Sequence, residues 1–309
     1  MTTHTPLRCA NSQMIQRGTN EVVLMDTGAY PSYSNFLNET WTWNGTDWHN
    51  TATSLIDAAG PLPGRLNMQM AYDGYNVVLY GGQGDSSTSG PFEDTWTWNG
   101  TAWTKRSPAN PPFARWDAQM GFITGVGTAM FGGAGGSGSG VLLNETWIWD
   151  GSGLTWTKLS PATSPSARRG HSMQSNNTLC VLFGGNISSG ECLNDTWTFN
   201  GTVWTKLAPA TSPSVRTDAV MSYDSVNTKW VLFGGKNEYN YLPETWTFNG
   251  TTWTQVSIGA GPNAKTNAQM CFDTQSSRTL LFGGFDASTN YPSNETWAFN
   301  GATNTWAKL

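Results

Sequence analysis

Six copies of the motif Glu/Asp-Thr-Trp-x-Trp/Phe-Asn/Asp-Gly run along the chain, beginning at Glu39, Asp94, Glu145, Asp195, Glu244 and Glu295. Their first tryptophans are spaced 55, 51, 50, 49 and 51 residues apart. A period of about 50 residues marks a repeat architecture in which one unit cannot bury its apolar face alone and must stack on its neighbours. Residues common to all six copies therefore build the scaffold, and function is to be sought where the copies differ.

The fifth repeat reads most cleanly. Ala219 to Asp224 alternates as a strand, Trp230 to Phe233 is a second apolar run closed by Gly234-Gly235, and a variable loop leads to Thr245–Phe248 and then Thr251 to Gln255. Four short strands rich in Thr, Val and aromatics, with turn residues between them, predict a four-stranded antiparallel sheet. The Asn-Gly step predicts a two-residue type I′ turn, because both central residues must take positive φ. In the first repeat that turn pairs Trp43 with Thr46 and sets Trp41 directly across from Trp48. The third and sixth repeats lengthen the gap between these two tryptophans from seven residues to nine, which keeps both on one face because strand side chains alternate.

Gly81-Gly82, Gly132-Gly133, Gly184-Gly185, Gly234-Gly235 and Gly283-Gly284 end the second strands, while the first repeat has Asp26-Thr27 there. Paired glycines at a strand end let a neighbouring backbone or ring approach closely. No helix is patterned after them, as phosphate cradling would require.

Together the apolar run into Gly-Gly, the acid-x-Trp third strand, the Trp on the fourth strand and the lead-in Pro165-Ser166-Ala167-Arg168-Arg169-Gly170-His171-Ser172 resemble the kelch family over essentially the whole chain. Kelch repeats form propeller blades. The resemblance thus implies an all-β, six-bladed β-propeller with four antiparallel strands per blade, each blade from one continuous segment. A single domain spans 1–309, with blades near 1–58, 59–108, 109–161, 162–209, 210–258 and 259–309. Asn11–Ile15 matches the first-strand segment Asn267–Cys271, and Trp306–Leu309 matches the fourth-strand segment Trp156–Leu159. Closure is then by packing between the first and last blades without strand exchange, and it is the expected weak seam because the first blade lacks Gly-Gly.

Composition narrows the function. Only 12% of residues are charged and the formal charge is −5, so there is no basic field to neutralise phosphates and no nucleic-acid partner is expected. No apolar stretch reaches the roughly 18 residues of a membrane span. Met1 to Leu7 lacks a basic n-region and an apolar h-region, so this form reads as carrying no signal peptide, consistent with a cytoplasmic chain or a processed secreted one. Cys9, Cys180, Cys192 and Cys271 have no metal spacing and sit at offset register positions, predicting free thiols and mildly favouring a reducing compartment. The recurring Asn-x-Thr sequons fall at turns and third strands, where hairpin chemistry explains them better than glycosylation.

The candidate site residues are exceptions and ring positions. Arg65, Arg115, Arg168, Arg216 and Lys265 each lie five residues before Met70, Met120, Met173, Met221 and Met270, with Arg8 six before Met14. In a propeller they ring one end of the channel. There they either capture an anionic group or pair with Glu39, Asp94, Glu145, Asp195, Glu244 and Glu295. Trp116 breaks the repeat where other copies hold Leu66, Arg169, Thr217 and Thr266, making it a candidate contact or a filler between loops. The loops after the second strands vary most, and Tyr30, Tyr33, Tyr239, Tyr241 and Tyr291 in them suit stacking on a sugar or a partner, or packing on their own blade.

His4, His49 and His171 are scattered, with His171 at the kelch first-strand position. The chain has too few histidines for the copper site of kelch-like galactose oxidases, and no cofactor is expected. The expectation is a monomeric, non-catalytic scaffold for a protein, peptide or anionic carbohydrate. The alternatives are a sugar isomerase resembling the sialate-mutarotase-like kelch propellers, which use acid and Arg groups at the channel mouth, and a structural module without a ligand.

Overall fold

The computed structural model describes residues 6, 10–18, 21–26, 38–52, 62–84, 90–135, 140–257 and 260–309. Among them the chain forms six four-stranded antiparallel sheets, each from strands consecutive in sequence. The first comprises Gln13–Arg17, Glu21–Asp26, Glu39–Trp43 and Trp48–Ala52. The first strands of the other five are Gln69–Tyr72, Gln119–Ile123, Ser172–Ser175, Val220–Asp224 and Gln269–Asp273. Each first strand lies beside those of the sheets before and after it, and Gln13–Arg17 lies beside Gln269–Asp273, so these strands follow one another in a closed cyclic order.

The 3–4 hairpin corrects the expected register. Trp43 faces Trp48 and Trp41 faces Asn50, two residues from the predicted pairing. The loop is four residues long, with Asn44 N–H donating to the Asp47 carbonyl at 3.3 Å. Only Gly45 has positive φ, so no type I′ turn forms. Instead the Asn44 Oδ1 accepts the backbone N–H of Thr46 and of Asp47 at 3.0 and 2.9 Å, an Asx turn that the asparagine side chain makes without leaving normal φ space. The same geometry recurs at Asn99, Asn200 and Asn249. A shift of two residues preserves the face, so the tryptophans still share one side, but the close ring pairs are Trp43–Trp48, Trp98–Trp103 and Trp149–Trp156 at 5.4, 5.6 and 5.4 Å.

The fourth-strand tryptophans point at the preceding sheet. Each donates its indole N–H to the motif threonine of that sheet: Trp103 to Thr40, Trp156 to Thr95, Trp204 to Thr146, Trp253 to Thr196 and Trp306 to Thr245, all at 2.8–3.0 Å. Trp48 closes the set onto Thr296 of the last sheet at 3.3 Å. The apolar core is likewise divided between neighbouring sheets; Met14, Leu24, Trp43 and Trp48 pack with Cys271, Leu280 and Phe282 across the first-to-last joint. The largest side chains thus stand in the joints, where burying each aromatic is worth about 1.5–3 kcal/mol.

The paired glycines work as the sequence implies. Gly184 has φ +67°, and a Cβ there would lie 2.6 Å from the Arg216 carbonyl oxygen of the next sheet. The second glycine's N–H donates to that same kind of carbonyl, Gly82 to Arg115, Gly133 to Arg168, Gly185 to Arg216 and Gly235 to Lys265, each at 2.9 Å. Cys180, Cys192 and Cys271 are free and buried. Among the described residues no helix is long and apolar enough to cross a membrane.

Candidate functional site

The five cations lead into the first strands with their side chains turned into their own sheets, and the carbonyls of Arg115, Arg168, Arg216 and Lys265 dock on the preceding sheet. Arg65 and Arg168 fork onto both oxygens of Asp94 and Asp195, at 2.5 and 2.9 Å and at 2.6 and 2.9 Å. Arg115 meets Glu145 at 2.6 Å and Arg216 meets Glu244 at 2.7 Å. Each arginine also donates to the carbonyl of its own first paired glycine, as Arg168 does to Gly184 at 2.9 Å. Lys265, which lacks a fork, reaches Glu295 at 3.5 Å and takes a second carboxylate, Asp286, at 2.9 Å. All five cations are buried. Arg8, the expected partner of Glu39, lies outside the described residues, as do His4, Cys9, Tyr30 and Tyr33.

The same carboxylates bind the motif tryptophans, Asp94 accepting the Trp96 indole N–H at 2.7 Å and Asp195 that of Trp197 at 2.8 Å. Burial pushes the Glu145 carboxyl up, but hydrogen bonds from Lys158, Arg115 and Trp147 outweigh it and hold it at about 2. With the cation of each pair buried and two of the pairs forked, these pairs brace the sheet ends.

The channel mouth at this end is lined instead by the residues three positions before each first-strand methionine. Asn11, Asn67, Asp117, Gly170, Asp218 and Asn267 all have left-handed φ, between 52° and 65°. The N–H of one donates to the carbonyl of the preceding one: Asn67 to Asn11, Asp117 to Asn67, Asp218 to Gly170, Asn267 to Asp218 and Asn11 to Asn267, at 2.8–3.2 Å. Asn, Asp and Gly are the residues that tolerate this conformation, which is the signal sequence reasoning passed over. Above the ring a cavity of about 200 Å³ is lined by Asp117, Asp218, Arg169 and Lys236 among others. Lys236 approaches Asp218 at 3.4 Å. Burial, then the Asp218 carboxylate, raises the Asp117 carboxyl to about 7, against the pull of Arg169 and Lys236. Below, His171 is buried, and desolvation with the Arg168 charge lowers its imidazole to about 3, so it is neutral.

Trp116 pairs with Ala134 in a small sheet formed by Arg115–Trp116, Ala134–Gly135 and Val141–Leu142. It is buried, and the far edge of its indole lies against Gly140. The loop tyrosines stand in solvent: Tyr239 is 85%, Tyr291 47% and Tyr241 37% exposed. The loop carrying Tyr239 is fixed at its base by the Lys236–Tyr241 bridge and at its tip by Asn237, whose Oδ1 accepts the N–H of Tyr239 and of Asn240 at 2.9 and 2.8 Å. Phe113, 72% exposed in the lead-in to Arg115, belongs to the same end of the molecule. It occupies the place of Pro63, Ser166, Ser214 and Asn263, so it too was visible as a repeat exception.

Comparisons with known proteins agree with this architecture. The family model of the KLHDC2/KLHL20/DRC7 Kelch-repeats domain matches residues 24–211, and that of the Attractin/LZTR1 beta-propeller matches residues 135–309. Adagio protein 3 of Arabidopsis thaliana is 30% identical over 142 residues, covering 44% of this chain and 22% of that protein. Adagio-like protein 1 of Oryza sativa subsp. japonica gives the same identity over the same length. The chain thus spans about a fifth of the length of these curated relatives (22%). A solved structure titled "Structure of YjhT" superposes with a TM-score of 0.75 over 99% of this chain and 98% of that one, at 15% identity, a likeness of fold. The repeats, the sheets they form and the family matches lead to one assignment: the chain belongs to the kelch-repeat β-propeller family.

Proposed function

We propose that the six sheets are the blades of a six-bladed propeller, and that the protein is a non-catalytic scaffold binding a partner protein or peptide at the face carrying the 2–3 loops. The observation that carries this reading is Tyr239, a large aromatic held 85% in water at the tip of a turn braced by Asn237. A rigid, exposed tyrosine loses little entropy on binding and buries much area. Tyr291, Tyr241 and Phe113 extend the same surface, and a mouth holding two cations and two acids supplies polar contacts beside it. The braced cations Arg65, Arg115, Arg168, Arg216 and Lys265, with Trp116 beneath its loop, support that surface from below.

A peptide-display library and a glycan array probed with the purified chain and with the Tyr239→Ser/Tyr291→Ser variant test this. Peptide ligands weakened at least about tenfold in the variant, at unchanged Tm, are the expected result, since anchor tyrosines are worth about 1–2 kcal/mol or more each. Ligands from the glycan array alone would replace the partner with an anionic carbohydrate. No ligand from either would leave a structural module.

One observation favours a second reading. A carboxyl near 7 beside Arg169 and Lys236 has the protonation behaviour of a general acid–base group. A sugar isomerase at that mouth predicts that the protein accelerates anomer exchange of an acidic sugar and that Asp117→Asn abolishes it. Exchange no faster than in buffer dismisses this reading.

A further inference from the structure

At the other end of the channel, where the 1–2 hairpins lie, the residue two positions after each first-strand methionine forms its own ring: Gln16, Tyr72, Phe122, Ser175, Tyr223 and Phe272. All six line one cavity of about 340 Å³, within the size range of small-molecule sites. In the cyclic order of the sheets, aromatics occupy the second and third positions and the fifth and sixth. Tyr72 and Phe122 thus form one wall and Tyr223 and Phe272 the opposing one. The first and fourth positions, Gln16 and Ser175, form the two ends of the slot between them.

The walls are fixed. Phe122 packs on Gly74 of the neighbouring hairpin, Tyr223 lies on Trp230 with ring centroids 4.7 Å apart, and Phe272 is buried. Tyr72 is tethered through its hydroxyl to the Gly74 carbonyl at 2.9 Å. Gln16 is held across the first-to-last joint, its Nε2 donating to Thr274 Oγ1 at 2.7 Å and its Oε1 accepting the Thr274 N–H at 3.2 Å. One amide N–H and one lone pair of Gln16 remain for a ligand. Every described residue lining this cavity is uncharged, in contrast to the opposite mouth.

We infer that this slot binds the ring of a neutral sugar, its C–H faces against the two aromatic walls and its hydroxyls toward Gln16, Ser175 and the hydroxyl and amide groups of the rim. An ionised sugar would enter an uncharged, partly desolvated site without a counter-charge. A flat aromatic molecule would make no use of the remaining amide N–H and lone pair of Gln16. The site is on the face away from Tyr239, so it stands or falls separately from the partner surface, although the facing of its walls rests on the six-bladed reading.

The test is saturation-transfer NMR on the full chain with glucose, galactose, mannose, N-acetylglucosamine and maltose, and with glucuronate and adenosine as controls. Expected is transfer to the ring C–H protons of at least one neutral sugar and none to glucuronate. Tyr72→Ser and Gln16→Ala each weaken that binding roughly 2–10-fold, the worth of one aromatic or hydrogen-bonded contact. Tyr239→Ser leaves it unchanged. Gln16→Ala removes no aromatic wall, so it carries the test if Tyr72→Ser lowers Tm. Transfer from none of the neutral sugars, transfer from adenosine alone, or binding indifferent to both slot variants overturns the proposal.

Discussion

A buried arginine in this chain does two jobs with two different atoms, and they are separable by mutation. The Arg168 side chain braces Asp195, while its carbonyl receives Gly133 of the preceding sheet. Arg168→Met keeps the backbone joint but strips Asp195 of its forked counter-charge, leaving it the Trp197 indole N–H and the more distant charge of Lys206. Unfolding in urea is expected to show a loss of about 3–5 kcal/mol. The pH dependence is a second residue-scale test. His171 has its folded-state value depressed to about 3, so it stabilises the fold above about 6.5 and loses that contribution as pH falls. Asp117 has its value raised to about 7, so its contribution is greatest below about 4 and is lost as pH rises through 7. Between roughly 4.5 and 6.5 the two slopes oppose each other. The wild-type Tm is expected to be nearly flat there, and Asp117→Asn to turn it into a fall with falling pH; an unaltered profile in the variant would contradict this. The cations and acids were legible as a six-fold set, but their pairing depends on which way each side chain turns, and spacing does not encode that.

The hairpin teaches the same lesson at the next scale. Strand number, strand order and face parity followed from alternation and repeat spacing, because those depend only on period. The register did not, because Asn-Gly serves both a two-residue type I′ turn and a four-residue Asx turn. Thr46 and Asp47, whose N–H groups the Asn44 side chain collects, decide for the longer loop. The motif threonine was likewise read as a strand former, although it receives the next sheet's indole. Thr146→Val strands the buried Trp204 N–H and is expected to cost about 1–3 kcal/mol. Thr296→Val, opposite the longer 3.3 Å contact of Trp48, is expected to cost less. Equal losses in the two variants would show that the joints are equivalent. Gly184→Ala drives a methyl into the Arg216 carbonyl and is expected to lower stability by more than the roughly 1 kcal/mol typical of a glycine replaced within a regular strand or helix.

At the scale of the molecule, repetition made the family legible and hid the sites. Every residue that recurs six times serves a joint, a brace or a turn, and both channel ends are built at positions where the repeat holds its place but changes its chemistry. The aromatic slot was readable in principle as aromatics two residues after Met70, Met120, Met221 and Met270, broken by Gln16 and Ser175, and Phe113 as a single exception to its repeat position. What sequence could not supply was the cyclic order that sets one pair of aromatics across from the other.

The indole-to-threonine bonds run in one direction, each sheet holding the one before it and being held by the one after. A linear array of repeats frays from its ends, where a unit has one neighbour. Here no described sheet has only one, so opening any of them breaks two joints, and unfolding proceeds as a single cooperative event. Hydrogen exchange should register this as five indole N–H groups exchanging together at the slow, global rate, with Trp48 ahead of them.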